Sequence, residues 1–428
     1  MRESSKYSRI AAAVLLLVTV CTTLTCMSCG KVSHGKNEQL TDIPDSGVPA
    51  SSGEGIDNPG NGVYDEKSAF GAVSAMGVGW NLGNTLDTID NKKKGILSEL
   101  KSVSPEEYYE TYWGNPVTTR KMIDDVAEAG FNAIRVPVTY TDHMGDDFKI
   151  REEWLERVGQ VVNYVLDNDI YCIINIHHDT GSGSWPWLKA DPDNAAIMEE
   201  RLRSVWTQIA MYFKDYDGRL IFESFNEILD TRNRWSGSSS ASYELVNDLN
   251  QIFVDTVRVT GANNKERILI VKTYAAGVDG DILDAFRLPD DTVKDRLIVG
   301  VHYYGVLTFT WRQERVSWAE TYTDWDRTRD GAPVEDVMKR LNSLFIKKGV
   351  PVIICEFGAQ NKGNTDDRVA FVRHYVETGK QYGIMCIWWD DGGDFPDALS
   401  VDSYTIYDRR KNLWFFPQIA EAMVTAAA

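Results

Sequence analysis

The sequence predicts an α/β protein whose single catalytic domain is a (β/α)8 barrel, and three observations carry that expectation. Eight short apolar runs of strand length recur along the 428-residue chain. Amphipathic stretches at helical spacing lie between them, and nearly every apolar run gives way to polar residues at its end. Strand alternating with helix implies parallel strands, and eight such units close on themselves. An open doubly wound sheet is the rival topology, but no GxGxxG follows the first run.

The strand-like runs are VGWNLG (78–83), AIRVPV (133–138), IYCIINIHH (170–178) and LIFESFNE (220–227). They continue with RILIVKT (267–273), LIVGVHYY (297–304), PVIICEF (351–357) and MCIWWD (385–390). Between them, 118–130 sets Met122, Val126 and Ala129 on one face, with Thr118 or Thr119 as cap and Gly130 as stop. The stretch 151–168 repeats Trp154, Val158, Val161 and Val165 at helical spacing. Segments 197–213, 243–261 and 366–383 behave likewise, whereas 228–242 and 308–330 read as long loops.

Ahead of this domain, Arg2, Lys6 and Arg9 precede an apolar run (10–20) too short to span a bilayer comfortably. Cys21, Cys26 and Cys29 follow. The segment 1–29 resembles a lipoprotein signal peptide, with Cys29 as the expected lipidated residue, Cys26 second, and an ordinary cleaved signal as the alternative. Residues 30–62 are rich in Gly, Ser, Pro, Asp and Asn and poor in large apolar residues, which predicts a flexible linker. The domain is expected over 63–428, in a secreted or cell-surface protein of the outer membrane or periplasm, touching membrane only through its lipid and acting as a monomer. Cys172, Cys355 and Cys386 sit in apolar runs without metal spacing and read as buried free thiols.

The formal net charge of −18 argues against a nucleic-acid partner, which clustered cations would have to hold. The 13 Trp, 19 Tyr and 15 Phe fit either a large core or a groove lined with flat rings.

The strand ends narrow the chemistry. The second run carries Arg135, and His177 and His178, Asn226 and Glu227, His302 and Tyr304, Glu356, and Trp388–Trp389–Asp390 stand at the ends of five others. A barrel gathers all its C-terminal strand ends on one face, where such enzymes work. Any one of these residues could simply bond a loop; six runs together, with two carboxylates, point to a site. Two carboxyl groups across a barrel mouth suit glycoside hydrolysis, one protonated and one ionised. Arg135 within reach of Glu356 would hold it ionised, and a charged Glu356 would raise the Glu227 pKa. His302 and Tyr304 share one face at period two.

Here a family resemblance emerges. LIFESFNEI (220–228), with VGWNLGNTLDT (78–88), WGNPVTT (113–119), NAIRVPVTY (132–140), INIHHD (174–179), VHYYG (301–305), IICEFG (353–358) and WWDDGG (388–393), resembles glycoside hydrolase family 5. The motifs at 78–88 and 113–119 are similar to the endoglucanase and xyloglucanase branch, subfamily 4, more than to mannanases. The resemblance implies a retaining endo-β-1,4-glucanase needing no cofactor or metal, with β-glucan as its partner. It implies Glu227 as acid/base, Glu356 as nucleophile and Arg135 as the brace of the nucleophile. Asn226 matches the residue on the sugar 2-hydroxyl, and His177 the strand-three histidine with His178 beside the sugar. His302 and Tyr304 match the pair between the two carboxylates. Asn84 matches an asparagine at the negative subsites, and Trp389 the stacking tryptophan, with Trp388 as its competitor. Asp391 departs from the usual WWDNG and puts one contact near the cleavage point in question.

Other aromatics divide by context. Trp185 and Trp187 lie in a Gly/Ser/Pro loop and could be sugar platforms or loop packing, as could Trp113, Trp235 and Trp311. Trp154 and Trp206 fit the core. Two readings from other classes compete. A metal-dependent barrel hydrolase would use His177, His178, Asp179 and His302, but successive strand residues point to opposite faces. An inactive glycan-binding lipoprotein would bind glucan and release no reducing ends. Within the enzyme class, a xyloglucan-specific endoglucanase, a β-mannanase and a β-xylanase share the fold.

Overall fold

A computed structural model describes residues 68–90, 104–392 and 404–428. The expected signal at 1–29 and linker at 30–62, with Cys26 and Cys29, lie outside the described residues. The eight strands are β1 (Val78–Leu82), β2 (Ala133–Val136), β3 (Tyr171–Asn175), β4 (Leu220–Glu223), β5 (Leu269–Lys272), β6 (Leu297–His302), β7 (Val352–Phe357) and β8 (Ile384–Asp390). They form a closed parallel barrel in sequence order, and β8 pairs back to β1 through Gly79↔Ile387 and Asn81↔Trp389. Seven of the apolar runs hold a whole strand, and β8 begins at Ile384, one residue ahead of the run 385–390. The runs at β3 and β4 extend past the ladder, and residues 176–178 and 224–227 lie beyond the strands at the rim.

Helices follow each strand, and the reason lies in their buried stripes. Arg120–Glu128 is capped by the Thr119 side chain and buries Met122, Ile123 and Val126. Glu152–Leu166 buries Trp154, Val158, Val161 and Val165. Ala195–Tyr212, Ser240–Val259 and Thr365–Gln381 complete the five expected helices. Arg327–Leu344 was not expected and begins inside the presumed loop 308–330. Its charged composition and Pro333 mask a buried stripe of Val334, Met338 and Leu341, while the Asp326 side chain caps its start.

Two apolar layers surround the strands. Outward residues such as Val136, Ile174, Phe222, Val299, Ile354 and Trp388 pack against the helices. Inward ones, among them Ile173, Ile221, Ile270, Ile298, Ile353 and Ile387, fill the lower barrel, where Ala69, Ala72 and Met76 of the helix Ala69–Met76 close the base. Trp154 and Trp206 are fully buried, and Cys172, Cys355 and Cys386 are buried free thiols, all as the sequence indicated.

One irregularity matters for the site. Val301 pairs with Ile354 but His302 pairs with Glu356, so β7 carries one extra residue against β6. It also advances three residues against two on β8, from Ile354↔Cys386 to Phe357↔Trp388. Such a bulge changes the phase of the strand and re-aims a side chain. Cys355 stays inward with Ile353, and Glu356 follows it into the barrel mouth instead of turning out. Phe357 then faces outward, stacked on Tyr375.

Candidate active site

The polar residues converge on the C-terminal mouth. Asn81, Arg135, Glu223 and Lys272 form its buried floor, each with no measurable exposure. Arg135 holds the floor together. It gives Glu223 two bonds, Nε to Oε2 at 2.9 Å and Nη2 to Oε1 at 2.7 Å. It also donates to Glu356 Oε1 at 2.8 Å, Asn81 Oδ1 at 3.0 Å and Asn226 Oδ1 at 2.9 Å. Asn81 in turn donates to the Cys355 and Trp388 carbonyls, tying β1 to the strands that carry Glu356 and Trp389.

Above the floor stand the two carboxyl groups. Tyr304 donates to Glu356 Oε2 at 2.9 Å, and the His302 Nδ1 lies 2.8 Å from Glu227 Oε1. One oxygen from each of Glu227 and Glu356 and one ring nitrogen of His302 all lie within 4.8 Å of one another. Glu227 keeps 22% of its side chain open to the cleft against 7% for Glu356. Its backbone is fixed outside the ladder by Thr180, and that of Asn226 by the Ile176 carbonyl. Trp389 stacks parallel to the His177 ring with centroids 5.8 Å apart. Gly83 makes room for it, since a Cβ there would lie 2.7 Å from the indole.

Residues 91–394 match the profile described as Cellulase (glycosyl hydrolase family 5). This chain belongs to glycosyl hydrolase family 5. It is 35% identical to Endoglucanase A of Clostridium longisporum over 360 residues, covering 84% of this chain and 66% of that protein's length. Among solved structures it resembles the GH5-4 broad-specificity endoglucanase of Ruminococcus champanellensis with bound cellotriose. That match has TM-score 0.74 and 37% identity and covers 83% of this chain and 98% of that one. A family 5 lichenase of Caldicellulosiruptor sp. F32 in complex with cellotetraose matches at TM-score 0.78 and 35% identity, over 90% and 100% of the two chains.

In this family 5 hydrolase the electrostatics separate the two carboxyl groups. Burial raises both, and the neighbouring Glu356 charge pushes Glu227 up further. Arg135, Lys272 and the Tyr304 hydroxyl pull Glu356 back toward the ionised form. Glu223 shows the opposite balance: burial pushes it up, but Arg135 and Lys272 outweigh that and hold it at about 2. His302 is driven well below the usual histidine range by burial and by Lys272 and Arg135.

The rim residues vary in engagement. The His178 Nδ1 lies 2.6 Å from the Asp87 carbonyl, and its ring meets the edge of Trp113. Asn84 sits beyond β1 with φ 54° and its carbonyl held by Asn115, and no described bond joins its side chain to the carboxyl pair. Trp388 is fully buried and donates to the Tyr404 carbonyl, so the ring at the mouth is Trp389. Asp391 accepts from the Tyr404 backbone and the Thr405 hydroxyl. Trp187 donates to Asp179 and packs on Phe148, so it is loop packing. Trp185 and Trp235 are exposed, 37% and 52%, and exposed Trp318 was not singled out in the sequence.

The expectation that His177 and His178 face opposite sides is corrected. Both lie past the end of β3, where strict alternation lapses, and each has a nitrogen 3.8 Å from Asp87 Oδ2. These three residues and the Glu227–His302–Glu356 group are the described clusters with metal-ligand chemistry. Their hydrogen bonds disfavour an ion at the first. The Asn175 amide nitrogen faces His177 Nδ1 and also donates to Glu223, which leaves the proton of His177 on Nε2, toward Asp87. His178 Nδ1 likewise needs its proton for the Asp87 carbonyl.

Asn81, Asn175, Glu223 and Lys272 were missed as site residues. The available signal was a lone polar residue at an inward position of an otherwise apolar parallel strand.

Proposed function

We propose that this protein is a retaining endo-β-1,4-glucanase that cuts internal bonds of β-glucans, with Glu227 as acid/base and Glu356 as nucleophile. The observation that carries this reading is the carboxyl pair, with oxygens within 4.8 Å. Direct attack uses carboxyl groups about 5–5.5 Å apart, whereas inverting enzymes leave about 6.5–9.5 Å for a water. In the first step Glu227 gives its proton to the leaving oxygen while Glu356 bonds the anomeric carbon. In the second, Glu227 takes a proton from water, whose oxygen displaces Glu356 from that carbon. Two inversions restore the β configuration. Trp389 offers the sugar a flat platform, and Asn226, aimed by Arg135, is available to the 2-hydroxyl.

The bound cellotriose and cellotetraose of the two structural relatives favour a linear glucan backbone. The substrates expected here are cellulose and mixed-linkage glucan, with xyloglucan next and mannan and xylan least. The test is a panel of all five polymers with product sizing and NMR of the first-formed anomer. Internal cuts in glucans giving β product support the reading, and α product overturns it. Export and lipid attachment at Cys29 are part of the proposal, as is a monomeric state. Export and lipidation rest on the residues of 1–30 and are tested by radiolabelled-palmitate incorporation into wild type against Cys29→Ala, and the monomeric state by sedimentation of the purified protein.

A further inference from the structure

We propose that Lys272, at the end of β5, is a positioning residue that fixes the proton of His302 and supplies a counter-charge to Glu227 through that ring. The inference rests on the roles assigned above to Glu227 and Glu356.

Lys272 is wholly buried, and a buried ammonium is costly unless it is partnered. Its backbone is clamped from both sides by Asn250 of the helix Ser240–Val259. Its stem passes Gly300 of β6, where a Cβ would lie 3.0 Å from Lys272 Cδ, so the neighbouring strand leaves a channel for it. Around the head group stand Glu223 of β4, Glu227 beyond it, His177 beyond β3, His302 of β6, and Cys355 and Glu356 of β7, with Arg135 of β2 bonded to Glu223.

Glu223 does not need this lysine for hydrogen bonding. Arg135 and Asn175 already bond it, and Nζ lies 3.6 Å away. Among the described residues, the one hydrogen bond of the lysine head group goes to His302 Nε2, at 2.8 Å. An ammonium only donates, so Nε2 must accept and the ring proton must sit on Nδ1. Nδ1 then donates to Glu227 Oε1. The acidic proton of Glu227 is thereby left to its other oxygen.

Charge counting shows what the lysine adds. Before attack, Arg135 and Lys272 balance Glu223 and Glu356 while Glu227 is neutral. In the glycosyl-enzyme Glu356 is an uncharged ester and Glu227 is the anion, so the balance is kept. Without Lys272 the floor carries one uncompensated negative charge at both stages, and release of the Glu227 proton becomes harder.

The test compares wild type with Lys272→Met and Lys272→Gln on mixed-linkage glucan, following kcat/KM against pH. Loss of the cation should move the bell to higher pH by about one unit in both variants, with activity at the wild-type optimum down by about tenfold. A structural loss would lower the bell without moving it, and an unmoved bell in either variant overturns the proposal. Nitrogen-15 NMR of the wild type gives a readout independent of any variant's folding: the proton must be on Nδ1 of His302, and finding it on Nε2 overturns the proposal. A wild type without glucanase activity would instead sink the functional reading, so the two failures are distinct.

Discussion

The lower and upper halves of the barrel interior are built from the same strands and do opposite things. Below, Ile173, Ile221, Ile270, Ile298 and Ile353 fill the space with branched apolar side chains. Two residues further along their strands stand Asn175, Glu223, Lys272, Gly300 and the bulged Cys355. The lower half gains from removing hydrocarbon from water. The upper half buries charges whose desolvation must be offset by mutual pairing. One contrast within the upper half is sharper still. Glu223 and Glu227 are separated by one short extended segment, yet the first is held at about 2 and the second is raised. Arg135 grips both oxygens of Glu223 and neither of Glu227. Pairing, not burial alone, decides which carboxyl group can carry a proton.

The largest effect expected is on the upper half. Glu356→Ala should lower kcat by roughly 10⁵-fold, in line with loss of a nucleophile elsewhere, with little change in thermal midpoint. Glu227→Ala should cost about 10²–10⁴-fold on polymer, but far less on the first step of an aryl glycoside whose leaving group needs no proton. Burst kinetics on such a substrate would check the difference, and equal losses on both substrates would break the assignment. Next in size, Ile298→Ala in the lower half should cost about 2–5 kcal/mol of stability through its cavity. Its kcat/KM below the melting range should match wild type, as read by denaturant unfolding beside a glucan assay.

The smallest effect sharpens the contrast between the two glutamates. The folded-state pKa of Glu227 is raised, so folding favours its protonated form. That penalty is absent below the ordinary carboxyl pKa and grows as pH rises toward the folded value. Glu227→Gln should therefore raise the thermal midpoint at pH 7, with the gain vanishing near pH 4. Glu223, with its depressed pKa, contributes stability above the ordinary carboxyl range and loses it as pH falls toward 2. Differential scanning calorimetry from pH 3 to 8 reads both trends.

Much of this was legible from residue order. Seven strands fell inside the predicted runs and β8 began one residue ahead of its run, because parallel barrel strands are buried on both faces and read as continuous apolar text. Glu227, Glu356, Arg135, His302 and Tyr304 were legible because they interrupt that text at its ends. The helix Arg327–Leu344 was not, since Pro333 and a largely charged surface obscure three widely spaced apolar residues. The floor residues Glu223 and Lys272 were hidden for a related reason. A polar residue inside a longer apolar run announces an inward position only once the phase of the strand is known. The choice between Trp388 and Trp389 turned on that same phase.

The extra residue in β7 makes the aim of Glu356 a matter of counting. Its inward aim follows from a backbone offset between Ile354 and Phe357, one of length and not of side-chain identity. Removal of Cys355 would restore strict alternation and leave Glu356 opposite His302, whereas one residue added after Cys355 would carry the carboxylate into the outward place that Phe357 holds. The orientation of this carboxylate thus depends on the number of residues ahead of it, and any transplant of the site into another barrel must keep Glu356 level with His302.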